Sequence, residues 1–204
     1  MPNDLRHIGN GDSAPSEALG VIELGTIIRG YRVLDAMVKR SPITVRAAYP
    51  VSTGKFLIFV EGGVAEVDEA MQAGRPAAGN QLLADLFLPY CHPQLWDGLF
   101  QKFKRTPIDA LGLFECHTVV DAILGADVAL KAAEVNLAAL HLAAGIGGRA
   151  YFVVSGELFD AEAAIEAALD RIDEPRIIEH DVLCAPHDDM TLELSGLQTV
   201  HEKY

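Results

Sequence analysis

Two stretches of this chain are versions of one another. Ala18 to Lys39 reads ALGVIELGTIIRGYRVLDAMVK, and Ala110 to Lys131 reads ALGLFECHTVVDAILGADVALK. At an offset of 92 (110 − 18) they share Ala-Leu-Gly, Glu23 with Glu115, Thr26 with Thr118, Asp35 with Asp127 and Lys39 with Lys131. Further on, Lys55 matches Arg149, Gly62 matches Gly156, and Leu88 and His92 match Leu183 and His187. The repeat covers almost the whole chain, so the fold must be built from two like halves. Each half is roughly 90 residues, enough for an autonomous core.

The pattern within each half sets its class. In the first, Leu19 to Leu24 reads as a strand. Ile27, Ile28, Tyr31, Leu34, Met37 and Val38 follow at helical spacing behind Thr26 as N-cap, and Ser41-Pro42 stops the helix. Ile43 to Tyr49 and the apolar run Phe56 to Val60 read as strands either side of a Pro50–Gly54 turn. Val64 to about Gly74 reads as a second helix, and Leu82 to Leu88 as a closing strand. The second half gives strand Leu111–Cys116, helix Val119–Ala132, strand Val135–Leu142, strand Ala150–Val154 and helix Leu158–Ile172. Its inner turn, Ala143 to Gly148, is longer and richer in glycine.

The order β-α-β-β-α-β, twice, predicts an α+β protein of two tandem ferredoxin-like domains, each an antiparallel sheet with both helices on one face. Residues 1–16 are expected to form a flexible extension, 17–106 the first domain with a linker over 97–107, and 107–204 the second domain with a C-terminal tail.

Composition narrows the function. Net charge is −13 over 204 residues, which opposes nucleic acid and anionic membrane surfaces as partners. Cys91, Cys116 and Cys184 form no CxxC motif, and no secretory leader or membrane span is visible, so a reducing cytoplasm is expected. The Gly-rich Ala144–Arg149 stretch leads into a strand, not the helix a phosphate cradle needs. Ser52-Thr53-Gly54-Lys55 lacks the upstream glycine of a P-loop, and Phe56 stands where a magnesium-binding hydroxyl belongs. Cys116 and His117 point to opposite faces of a strand and cannot readily share a metal. Glu23 and Glu115 read as repeated structural carboxylates answering backbone N–H groups, not as an acid/base pair. No metal, cofactor or enzymatic role is expected.

The motifs taken together resemble those of the bacterial microcompartment shell proteins. They comprise the Ala-Leu-Gly-x-x-Glu opening strand, the Asp35 to Lys39 helix end, the small-residue turn and Gly62-Gly63-Val64, each with a second copy. Two unpermuted copies resemble the tandem-domain, trimer-forming class. The resemblance implies a homotrimeric, pseudohexameric tile with a central pore for metabolites. Pro50, Val51, Ser52, Thr53, Gly54, Ala144, Gly145, Ile146 and Gly147 would line that pore. It implies tile-edge contacts at Lys39 and Lys131, and as partners other copies, neighbouring hexameric, trimeric and pentameric shell proteins, and encapsulated enzymes. Relatives that hold an iron–sulfur cluster do so with a cysteine at the pore turn. Ser52 and Thr53 stand there instead, so no cluster is expected. The turns carry no acid, so the pore is expected to be ungated in a single, unstacked tile. The alternative is a ferredoxin-like regulatory protein whose turns bind a small effector.

Overall fold

A computed structural model describes residues 16–103, 109–187 and residue 190. The extension expected over 1–16 lies almost wholly outside that range. So do 104–108 of the expected linker and the tail beyond Met190.

The first domain runs β1 (Ala18–Leu24), α1 (Ile27–Arg40), β2 (Thr44–Val51), β3 (Lys55–Gly62), α2 (Val64–Ala78) and β4 (Leu82–Pro89). A short helix, α3 (Pro93–Leu99), leads to the second domain. That domain runs β5 (Ala110–Cys116), α4 (Val119–Ala132), β6 (Asn136–Leu142), β7 (Ala150–Gly156), α5 (Leu158–Arg171) and β8 (Ile177–Cys184). Both sheets are antiparallel, in the equivalent orders β2-β3-β1-β4 and β6-β7-β5-β8. The register irregularities repeat as well. One falls between Val45 and Ala47 on β2, its twin between Leu137 and Ala139 on β6. The expected α+β arrangement of two like domains is what the chain adopts.

Strand alternation sorts the first domain's side chains to two faces. Ala18, Ile22, Leu24, Phe56, Ile58 and Val60 pack beneath α1 and α2, against Val33, Met37, Val67 and Met71. Leu19, Val21, Leu57 and Phe59 point the other way. They join Leu95, Trp96 and Leu99 of α3 and the core of the second domain. The first sheet is therefore covered on both faces, and the two domains share one continuous apolar interior.

Two boundaries differ from the expectation. Helix α2 does not stop at Gly74 but runs through Pro76 to Ala78. A Cβ at Gly74 would lie 2.7 Å from Ile22 and 3.0 Å from Met37, so this glycine is a close-packing point, not a helix end. The linker expected from residue 97 begins earlier, as α3. Pro93 opens that helix at its first position, and His92 caps it by accepting the Gln94 N–H.

Candidate functional site

The two turns that precede β3 and β7 meet inside one chain. The first is Ser52–Gly54, with Thr53 at φ 66° and Gly54 at φ 80°. The second spans 143–148, with positive φ at Ala143, Gly145, Gly147 and Gly148. These left-handed positions explain the glycine content, since a Cβ there is strained. The Gly145 N–H donates to Ser52 Oγ at 3.2 Å, and the Thr53 hydroxyl donates to the Ser52 carbonyl at 2.6 Å. A Cβ on Gly148 would sit 3.0 Å from Thr53 Oγ1 and 3.3 Å from Lys55 Cε, so the contact also depends on a bare backbone.

Lys55 holds the two turns together. Its ammonium donates to Glu23 Oε1 at 2.7 Å, to the Gly148 carbonyl at 3.0 Å and to the His117 carbonyl at 3.2 Å. Those are all three protons an ammonium has to give. The other oxygen of Glu23 accepts the Val119 N–H at 2.8 Å, at the start of α4. A helix N-terminus offers unpaired N–H groups and positive potential, which suit a carboxylate. Glu23 is fully buried. Burial pushes its carboxyl above the usual range, and the Lys55 and Val119 contacts pull it back. Glu23 is thus the structural carboxylate read from the repeat, and the N–H it answers belongs to the other domain.

The twin of this arrangement is half built. Arg149 pairs with Glu115 at 3.1 Å, but Glu115 is 36% exposed against 0% for Glu23. Thr118 caps α4 by accepting the Asp121 N–H, whereas Thr26 makes no such side-chain bond at the start of α1. The asymmetry extends along both helices. Val119, Val120, Ile123, Leu130 and Leu137 are at most 5% exposed, beneath the first domain and α3. Their first-domain counterparts Ile27, Ile28, Tyr31, Val38 and Val45 are 36%, 73%, 61%, 43% and 36% exposed. Asp127 is buried, pairs with Lys131 at 2.5 Å and accepts the His92 N–H at 2.7 Å. Asp35 makes the same pair with Lys39 at 2.6 Å in open solvent.

Every residue singled out in the sequence is therefore located. Thr53, Gly54, Gly145 and Gly147 are exposed at one meeting point of the two turns, with Val51, Ser52, Ala144 and Ile146 half-buried beside them and Pro50 exposed at the end of β2. Lys39 and Lys131 lie at the ends of α1 and α4, both solvent-accessible. Cys116 is buried, its sulfur within reach of the Thr118 and Ala150 carbonyls for its one S–H, while His117 is exposed. Lys55 was not read as part of the site, because its partners lie up to 93 residues away in sequence. The signal that could have marked it is the basic residue recurring after both turns, as Lys55 and Arg149. Among the described residues no three metal-ligating side chains converge, and no helix is long and apolar enough to cross a membrane.

Comparison with known proteins returns one consistent picture. The BMC domain family matches residues 18–90 and again 110–186. The bacterial microcompartment shell protein PduT of Citrobacter freundii is 34% identical over 179 residues, spanning 86% of this chain and 96% of that protein. The crystal structure of a microcompartments protein from Desulfitobacterium hafniense DCB superposes with a TM-score of 0.76 at 30% identity, over 87% of this chain and 99% of that one. The fused permuted hexameric shell protein MSM0275 from the RMM microcompartment shares the fold, with a TM-score of 0.58 at 20% identity over 81% and 87% of the two chains.

Proposed function

This chain belongs to the BMC-domain family of bacterial microcompartment shell proteins, and from that premise we propose that three copies close head to tail into a six-domain ring around a central pore. Its role is structural, as a component of the shell. No observation favours the regulatory, effector-binding alternative.

One observation carries the ring: the surface that the first domain buries on the second is left open on the first. A contact between two like domains that is not self-complementary repeats from one to the next until it closes. Extending the contact inside the chain to the next chain supplies each missing partner. Glu115 accepts the Ile27 N–H of the next copy, as Glu23 accepts that of Val119. Arg149 reaches the turn carbonyl at Gly54 of the next copy, as Lys55 reaches that of Gly148. Taking Ile27, Ile28 and Val38 out of water favours each interface by about 1.5–3 kcal/mol per side chain fully buried.

In this ring six turns converge on the axis, Pro50–Gly54 alternating with Ala144–Gly147. Hydroxyls and backbone amides dominate this rim, with Val51 and Ile146 half-buried behind it, and such a rim suits small polar metabolites. Lys39 and Lys131 lie at the outer edge, available to other shell proteins in a two-dimensional layer.

The test is mass in solution. Light scattering should give the mass of three chains for the unmodified protein. Ile28→Glu should give one chain with an unchanged circular-dichroism spectrum, because a substitution at an exposed helix position leaves the isolated fold nearly untouched. A single-chain mass for the unmodified protein at high concentration would sink the ring.

A further inference from the structure

We propose that neighbouring tiles join in one sense only: the outer end of the second domain, anchored by Phe159, seats on the outer end of the first domain of a further copy. The proposal rests on the three-copy ring and the layer above, and adds which edge meets which and through what side chain.

Phe159 is 82% exposed, the most exposed large apolar side chain among the described residues. The ring makes no use of it. Ile27, Ile28, Tyr31, Val38 and Val45 face the joint between chains from α1 and β2, whereas Phe159 lies in the first turn of α5. Strand β7 leaves its turn at Ala150 and ends at Gly156, and α5 starts two residues later. Helix α4 starts beside Glu23 and ends at Ala132. These far ends meet: a Cβ on Gly156 would lie 3.0 Å from Val135 and 3.2 Å from the Glu134 carbonyl. In the first domain the same ends are tied by Arg40 of α1 and Glu69 of α2, 3.4 Å apart. Phe159 therefore shares with Lys131 the end of the second domain that points away from the turns.

The two outer ends are complementary in size. The first domain has Gly63 and Ala65 where the second has Glu157 and Phe159, an offset of 94 (159 − 65). Gly63 offers bare backbone, its N–H already given to Glu66 Oε2 at 2.9 Å, and Ala65 is exposed. They are complementary in charge as well. Arg40 stands where the second domain has Ala132, and Glu134 and Glu157 stand where the first has Pro42 and Gly63. The other charged positions keep their sign: Asp35 with Asp127, Lys39 with Lys131, Glu66 with Asp160. Arg40 meets Glu69 through Nε alone and is 58% exposed, so its fork keeps donors for a second carboxylate. Glu134 and Glu157 are both exposed. Symmetry gives the contact its sense. Two kinds of domain alternate round the ring, so edges opposite one another across its centre differ in kind. In a layer of tiles that share one orientation, each edge meets the opposite edge of its neighbour. Every joint then sets a first domain against a second. Phe159 meets Gly63 and Ala65 there, and Glu134 meets Arg40. Lys39 and Lys131 enter the same joint, each held by its own aspartate.

The test moves the anchor from one side of the joint to the other. Sheets of the full chain are followed by negative-stain microscopy over a concentration series, with light scattering and circular dichroism on the same samples. Phe159→Ala should raise the concentration at which sheets appear at least about tenfold, as loss of an aromatic anchor does, with the three-chain mass and the spectrum unchanged. Ala65→Phe alone should do the same, by bringing two aromatic rings to one place. Phe159→Ala and Ala65→Phe together should restore the sheets, because each joint again holds one large side chain and one small. Sheets that form undiminished in Phe159→Ala overturn the anchor. Sheets that form undiminished in Ala65→Phe, or a double variant no better than the single ones, overturn the directed pairing. A three-chain mass without sheets in the unmodified protein overturns the layer, and this proposal with it, and leaves the ring standing. A single-chain mass overturns the ring as well.

Discussion

Lys55 and Arg149 occupy equivalent positions and do unequal work. Lys55 is committed inside the chain, with a fully buried carboxylate as one of its three acceptors. Removing one member of a buried pair leaves the other charged and alone, at a cost of about 3–5 kcal/mol. Lys55→Met should therefore lower the urea midpoint of unfolding whatever the protein concentration. Arg149, more than half exposed, has little to lose in the single chain. Arg149→Met should instead weaken assembly, seen as a midpoint that falls with dilution more steeply than the parent's. The pair also marks what a sequence can tell at this scale. Glu23 was legible as a structural carboxylate because it recurs as Glu115 at the end of the same strand. The identity of its partners was not, since Lys55, His117 and Val119 reach it only after two domains have packed.

At the scale of elements, the Ala-Leu-Gly opening acquires a physical reason. Gly20 and Gly112 lie on the helix side of β1 and β5, where α2 and α5 pass over them. A Cβ on Gly20 would fall 2.8 Å from Val60 and 3.0 Å from Met71, and one on Gly112 2.8 Å from Ile165 and 2.9 Å from Val154. The motif keeps the helix close to the sheet. Gly112→Ala should cost about 1–3 kcal/mol through overpacking, read as a lower thermal midpoint with the fold retained. Strands and long helices were legible because their apolar patterns are sustained over five residues or more and are bounded by turn residues. Helix α3 was not, because its signal is one turn long. Leu95, Trp96 and Leu99 do carry helical spacing behind Pro93, but they sit between a Pro/Cys/His segment and a stretch that reads as linker. The end of α2 was misplaced for the opposite reason. Gly74 and Pro76 are strong breakers locally, and tertiary packing on Ile22 and Met37 overrides them.

For the whole molecule, the joint within the chain and the proposed joint between chains differ in chemistry. Ala84 and Leu86 on β4 are buried, and the matching residues on β8 are Glu179 and Asp181, both exposed. On the receiving helix, Leu124 of α4 is replaced by the exposed Arg32 of α1. An apolar joint in one place thus becomes one with opposite charges in the other. Charge pairs at a rim are screened by salt. Light-scattering measurements across a salt series should show the three-chain mass lost at lower protein concentration in low salt than in high. Asp181→Leu should make the association less dependent on salt. The outer edge makes its own prediction. Lys131→Ala should leave the proposed ring intact while abolishing the sheets that negative-stain microscopy detects, since the Lys131 side chain is solvent-accessible in the single chain and the proposed tile places it at the outer edge.

The two turns that would face the axis of the proposed ring are unequal in length and in backbone conformation. In a ring of six identical chains, any substitution at the rim is made six times over, and the aperture must accept all six or none. In the proposed ring of three chains a change within Pro50–Gly54 would appear three times and leave the sequence of Ala144–Gly147 as it was. The opening can therefore be altered in half-steps. The contacts of Ser52 with Gly145 and of Thr53 with Gly148 must be kept, and positions clear of them can vary in size, polarity or charge in one set of turns while the other stays unchanged.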